Sequence, residues 1–200
     1  MNIFRLGLCV IAMGSFFVGD NVANAEPENL AVCAACHGSD GSGAGFPYVP
    51  IIAGTPAAHL EEALFAYQDG ARRCVGVPVM CEAIAPLSEA HIVELAAYYS
   101  EMPRISSDEE FDKRLAAVGK LIHDDLCAQC HVLPDDENVE AALGIPLNGQ
   151  RSSYLRLALG AYLTGDRDTL VPVMADKLKE LDPDKIQALV NYYASYEQKP

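Results

Sequence analysis

Apolar residues recur at helical spacing along most of the chain, and no sustained apolar-polar alternation suggests a sheet. Leu115, Val118, Gly119, Ile122 and Leu126 fall on one predicted helix face just before a cysteine pair. Ile92, Leu95, Ala96 and Tyr99 make a second stripe, which Ser88 is placed to cap. Ile186, Leu189, Val190 and Tyr193 make a third, opened by Asp182 and by Pro183 at the first helical position. The pattern predicts an all-α protein.

The stripes resemble one another because the chain repeats itself. Cys33-Ala34-Ala35-Cys36-His37 recurs as Cys127-Ala128-Gln129-Cys130-His131, at an offset of 94. Val77-Pro78-Val79-Met80 recurs as Val171-Pro172-Val173-Met174, and Tyr98-Tyr99 as Tyr192-Tyr193, at the same offset. Between these blocks the register slips by one and returns: Gly54 matches Gly149, and Gly70-Ala71-Arg72 matches Gly165-Asp166-Arg167. Compensating slips of this kind belong in loops. We therefore expect two tandem modules, residues 26–104 and 105–200, joined near the polar stretch Ser106-Ser107-Asp108-Glu109-Glu110.

The first 25 residues read differently. Arg5 precedes an apolar run from Leu6 to Val18, and small residues follow, ending in Ala23-Asn24-Ala25. This is the layout of a secretory leader cleaved after Ala25. The run is shorter than the roughly 20 residues of a spanning helix. The expectation is an exported, periplasmic protein beginning at Glu26, without stable membrane insertion once the leader is removed. Composition narrows the partners. With 14 basic and 28 acidic residues among 200, the formal charge is −14, which works against binding nucleic acid and favours basic partner faces. Half of the residues are apolar, which argues against disorder.

The two Cys-x-x-Cys-His units carry the chemistry. On a helix, two such cysteines lie about one turn apart on one face, with the histidine immediately after. Covalent haem attachment uses this arrangement: the thiols add to vinyl groups and the imidazole becomes an axial iron ligand. A redox dithiol is expected near a βαβ pattern, and a zinc ribbon pairs its units some 15–20 residues apart, so both fit less well. Beyond the leader the methionines are Met80, Met102 and Met174. Met102 aligns with Tyr196, whereas Met80 and Met174 each follow the haem histidine by 43 residues, in a Val-Pro-Val-Met segment. They are the candidate second axial ligands, the competing reading being core packing.

His59, His91 and His123 align with other residue types and are expected at the surface or at helix ends. His91 and His123 would serve as ligands only if Met80 or Met174 stays unbound. With both axial positions filled, iron exchanges electrons rather than binding substrate, so no catalytic residue is expected. Cys74 and Cys81 bracket the approach to Met80 and have no counterpart in the second module. In an oxidising compartment they suit a disulfide that braces this loop; two reduced thiols are the other reading. The tyrosine pairs are expected to pack rather than relay electrons. Gly119 is expected to permit a close helix approach, and with seven residues between the expected cleavage point and Cys33 the first helix should be short.

Together these residues resemble the class I cytochromes c, and the doubled arrangement is similar to the dihaem cytochrome c4 family and to the cytochrome subunit of flavocytochrome c sulfide dehydrogenase. The resemblance implies two small α-domains with facing haem edges and two covalently bound haem c groups. It implies Cys33, Cys36, Cys127 and Cys130 as thioether positions, His37 and His131 as proximal ligands, and Met80 and Met174 as distal ligands. It also implies that loop carbonyls at Pro50 and Pro146 are directed at the proximal imidazoles. The activity implied is one-electron transfer between redox partners, such as a terminal oxidase, another cytochrome or a flavoprotein, rather than catalysis by the chain. An electron-accepting subunit of a sulfide-oxidising flavoprotein is the alternative, and a dihaem peroxidase fits less well because methionine is offered twice.

Overall fold

The computed structural model describes residues 26–43, 45–139, 142–169 and 171–197; the expected leader over residues 1–25 lies outside them. Among the described residues eight α-helices follow in order: α1 (Leu30–His37), α2 (Ala57–Gln68), α3 (Pro78–Ile84), α4 (Glu89–Ser100), α5 (Lys113–Leu126), α6 (Ser152–Thr164), α7 (Pro172–Leu178) and α8 (Pro183–Ala194). The last three repeat α2 to α4 in the register of the sequence repeat. Among the described residues there is no strand, only one isolated antiparallel bridge, between Arg72 and Arg167. No described helix is long and apolar enough to cross a membrane.

Local chemistry fixes the helix starts. Proline opens α3, α7 and α8, where its missing N–H costs nothing. Ser88 accepts a hydrogen bond from the His91 backbone N–H, and the His91 ring reaches back to the Ser88 N–H, closing a capping box on α4. Asp182 caps α8 by accepting from the Lys185 N–H. At α6 the cap comes from a distance: the Glu109 carboxylate accepts from the backbone N–H and the hydroxyl of Ser152, at 2.8 and 2.5 Å. A linker residue thus supplies the negative charge that a helix N-terminus favours.

Each module buries one cluster. Ile84, Leu87, Ile92 and Leu95 pack with Leu30 and Cys33 of α1 and Leu64 and Phe65 of α2. Leu155, Ile186, Leu189, Val190 and Tyr193 pack with Ile122 of α5. The first helix of the first module is short, as expected: α1 has 8 residues and α5 has 14.

On α5 the buried stripe is Ala116, Gly119 and His123, rotated from the one expected, and Val118 is exposed. Gly119 is the reason. A Cβ at this position would sit inside van der Waals contact with the Ala188 carbonyl and close to the Tyr192 Cβ, so α8 lies directly over it and turns the helix about that contact.

The modules meet across polar backbone rather than a shared apolar core. The Gln150 side chain accepts from the Ile51 N–H at 2.9 Å and donates to the Ile51 carbonyl at 2.8 Å. Arg104 donates to the carbonyls of Pro146 and Asn148, Arg151 donates to the Ser42 carbonyl, and the Ser153 hydroxyl donates to the Pro47 carbonyl. Around the Arg72–Arg167 bridge, the Arg73 N–H donates to the Asp166 carbonyl and the Asp168 N–H to the Ala71 carbonyl, each at 2.7 Å.

Replacing Gly119 by Ala is expected to destabilise the second module by about 1–3 kcal/mol through overpacking. Denaturant unfolding of the holoprotein followed by circular dichroism checks this, and an unchanged midpoint contradicts the close approach.

Candidate functional site

Each cysteine pair sits where a helix runs out. In the first module α1 carries Cys33 and Cys36 and ends at His37, so both sulfurs share a helical turn. In the second, α5 ends at Leu126 and the chain continues in turns, with the His131 N–H donating to the Cys127 carbonyl at 2.9 Å. The i to i+4 hydrogen bond keeps the helical spacing of the pair although the regular helix has stopped. All four cysteines are free, half-buried thiols. Cys74 and Cys81, by contrast, form a disulfide with 6.0 Å between their Cα atoms. The Cys-x-x-Cys thiols are therefore left available for thioether bonds.

The histidines beside them are held in the same way in both modules. His37 is buried, at 8% exposure, and its Nδ1 lies 3.2 Å from the Pro50 carbonyl oxygen. His131 places Nδ1 2.8 Å from the Ile145 carbonyl oxygen. A carbonyl can only accept, so Nδ1 carries the proton and donates, which leaves the Nε2 lone pair for a metal. Burial pushes the pKa of both imidazoles down, against the hydrogen bonds to Pro50 and Ile145, which raise it; the nearby Arg72 charge lowers His37 further. A neutral imidazole is the form that binds iron.

The carbonyl expected from Pro146 comes instead from Ile145. Counting from the turn glycine resolves the difference, since Pro50 precedes Gly54 by four residues and Ile145 precedes Gly149 by four. Those glycines set the loop. Gly54 and Gly149 have φ of 64° and 83°, a left-handed conformation that costs glycine little, and their N–H groups donate to the Tyr99 and Tyr193 carbonyls at 2.9 and 2.8 Å. A side chain on Gly54 would run into the Arg104 backbone and one on Gly149 into Ser106. The loop carbonyl is thereby tied to the last helix of its own module. Gly144 is a site residue the sequence did not reveal: a Cβ there would lie 2.5 Å from the His131 ring, so only glycine lets the backbone approach the imidazole this closely.

Met80 lies on α3 and packs against the same apolar cluster as Cys33. Met174 lies half-buried on α7. Burial pushes the Cys127 thiol pKa up, against the Tyr193 hydroxyl and the Lys177 charge, which lower it. The disulfide ties Cys81, the residue after Met80, to the loop at Cys74, so the middle of the first methionine helix is pinned to the segment that leads into it.

The remaining histidines are occupied elsewhere. His91 caps α4 and lies 3.4 Å from Glu28. His123, expected at the surface or a helix end, is in the last turn of α5 but is buried at 3% exposure, because Nδ1 meets the Tyr193 hydroxyl at 3.2 Å and the ring packs on Tyr192 and Tyr193. His59 is half-buried in the first turn of α2, at a helix end as expected. Tyr99 and Tyr193 are buried core residues, as expected of packing tyrosines.

No protein-family model matches the chain. Among curated proteins, it is 31% identical over 185 residues to the thiosulfate dehydrogenase electron acceptor of Stutzerimonas stutzeri, covering 88% of this chain and 83% of that protein. It is 31% identical over 193 residues to cytochrome c4 of Stutzerimonas stutzeri, covering 85% and 87%. Among solved structures it superposes on cytochrome c4 of Acidithiobacillus ferrooxidans with a TM-score of 0.70 and 26% identity, covering 83% of this chain and 99% of that one.

Replacing Cys74 and Cys81 together by Ser is expected to cost roughly 2–3 kcal/mol, the chain entropy regained by a loop this short. The loss should fall on the first module alone, and thermal unfolding followed separately at the two sites checks it. Equal loss at both sites contradicts a local brace.

Proposed function

The chain belongs to the dihaem cytochrome c4 family, and on that premise we propose that His37 and Met80 bind the iron of one haem and His131 and Met174 the iron of the other. The protein is an electron-transfer protein of two cytochrome c domains with two covalently bound haem c groups, not an enzyme in its own right. When bound, each haem supplies a one-electron iron couple. Everything else is done by the polypeptide.

Cys33 and Cys36, and Cys127 and Cys130, fasten the groups to modules spanning residues 26–104 and 105–200. Pro50 and Ile145 hold the Nδ1 protons, orienting each imidazole and raising its basicity toward a metal. The neutral thioethers of Met80 and Met174 would each give the iron a second protein ligand and favour its reduced form. The observation that carries this reading is the duplication of one geometry: an imidazole, buried at His37 and half-buried at His131, with Nδ1 on a loop carbonyl and two free thiols beside it.

The leader reading and the family membership together support a periplasmic location after cleavage at Ala25. For the partners, the relative named as a thiosulfate dehydrogenase electron acceptor favours a thiosulfate-oxidising enzyme as donor, with a terminal oxidase or another cytochrome as acceptor. The net charge of −14 favours basic docking faces on both.

Met80→Ala and Met174→Ala are each expected to remove one of two sulfur-to-ferric-iron absorption bands and to lower one of two midpoint potentials, with both haems still attached. Redox titration and the visible spectrum check this. An unchanged band in either variant assigns that methionine to packing.

A further inference from the structure

The Cys74–Cys81 disulfide is the one covalent cross-link among the described residues, and it stands beside a proposed iron ligand. Cys81 follows Met80 on α3. Cys74 lies in the turn that leads into the helix, where the Val77 N–H donates to the Cys74 carbonyl at 3.1 Å. The second module has no such bond, and the residue after Met174 is Ala175.

What else holds α3 decides what the disulfide does. The far end is secured: Ile84 is buried, and the Gln68 amide donates to the carbonyls of Ile84 and Leu87 at 3.1 and 2.8 Å. The start has no side-chain cap, and Pro78 brings no N–H to it. Among the described residues no ion pair joins α3, whereas Asp176 and Lys177 of α7 pair with Lys179 and Glu180 just beyond that helix. A helix of 7 residues is not stable by itself. Met80, in its first turn, therefore depends on the cross-link and on packing against the cluster of Ile84, Leu87, Ile92 and Leu95.

The bond is also reachable. Cys74 and Cys81 are half-buried, and the chain around them is open: Val75 is 64% and Val79 54% exposed, and a side chain on Gly76 would meet nothing. Exposed valines beside an accessible disulfide suit a protein that carries a dithiol on an apolar face. A dithiol has to act on this chain in any case. On the export reading, Cys33, Cys36, Cys127 and Cys130 must stay thiols in an oxidising compartment until haem is attached.

We propose that Cys74–Cys81 is a thiol–disulfide exchange site for a dithiol protein, and that opening it frees the start of α3 and releases Met80 from the first iron without disturbing the second. One thiolate of the partner attacks Cys74 or Cys81 and forms a mixed disulfide. The partner's second thiol then breaks that bond and leaves as the partner's own disulfide. Two electrons and two protons thereby pass from the partner to Cys74 and Cys81, which become thiols. The inference rests on the assignment of Met80 as a ligand. It makes the first module a gate, open to electrons only while the cross-link is closed.

The test starts from the folded holoprotein, treated with dithiothreitol, alkylated with iodoacetamide, freed of reagents and reoxidised with ferricyanide. Mass spectrometry should find Cys74 and Cys81 both alkylated, with both haems still attached. This form should lose one of two sulfur-to-ferric-iron bands. At the first haem the ferrous-to-ferric ratio at fixed potential should fall roughly tenfold, with the second haem unmoved. Cys74→Ser combined with Cys81→Ser should show the same change without reagents, and it carries the ligand claim if the alkylated chain unfolds. Thiols that react only after denaturation overturn the exchange site. Either opened form keeping both bands overturns the release of Met80. Met80→Ala separates the premise: if that variant keeps both bands, the ligand assignment fails and the release fails with it, whatever the alkylation shows.

Discussion

The hydrogen bond between each site histidine and a loop carbonyl is the constraint on which the rest depends. It fixes the tautomer of the imidazole and therefore which nitrogen faces the cofactor. The Pro50 and Ile145 carbonyls can occupy that position only because the loop turns back at Gly54 and Gly149, where the left-handed backbone places an N–H on the Tyr99 or Tyr193 carbonyl. The final helix of each module thus holds the loop, the loop holds the imidazole, and the preceding cysteine pair presents two thiols beside it. Core packing and ligand orientation are one arrangement in this fold.

The modules solve the same problem with different reinforcement. The second has a long α5 crossing α8 at Gly119, and His123 on that helix gives the buried Tyr193 hydroxyl a partner. The first has only an 8-residue α1, begins it at a left-handed Asn29, and leaves the equivalent Tyr99 hydroxyl without a hydrogen-bond partner among the described residues. It has instead the Cys74–Cys81 disulfide beside Met80. A covalent cross-link near the proposed ligand stands where the second module relies on helix packing. Unequal support of two similar sites is a physical route to unequal potentials within one chain.

Much of this was legible in the sequence because it rests on local or repeated signals. The caps at Ser88 and Asp182, the stripes of α4 and α8, the close approach at Gly119 and the cysteine pairs needed only spacing and residue type. Errors arose where a tertiary contact decides. Pro146 was expected to supply a carbonyl because it shares its residue type with Pro50, but the turn glycine sets the count and gives the role to Ile145. His123 has no counterpart in the repeat, yet it is buried by a hydroxyl from a helix 70 residues away. The match of Gly70-Ala71-Arg72 with Gly165-Asp166-Arg167 was visible as repetition; that the two copies pair with each other was not, since nothing local distinguishes a loop that meets its own duplicate.

An electron-transfer protein needs its irons held in unchanging coordination and little else, and a small helical module duplicated around polar contacts supplies that. The account is tested most directly at the imidazoles themselves, by nitrogen-15 NMR of the histidine rings in the reduced holoprotein. It predicts slowly exchanging protons on Nδ1 of both His37 and His131, hydrogen-bonded to the carbonyls of Pro50 and Ile145, with Nε2 of each bound to iron. A proton on Nε2 of either ring, or an Nδ1 proton in free exchange with solvent, would contradict it.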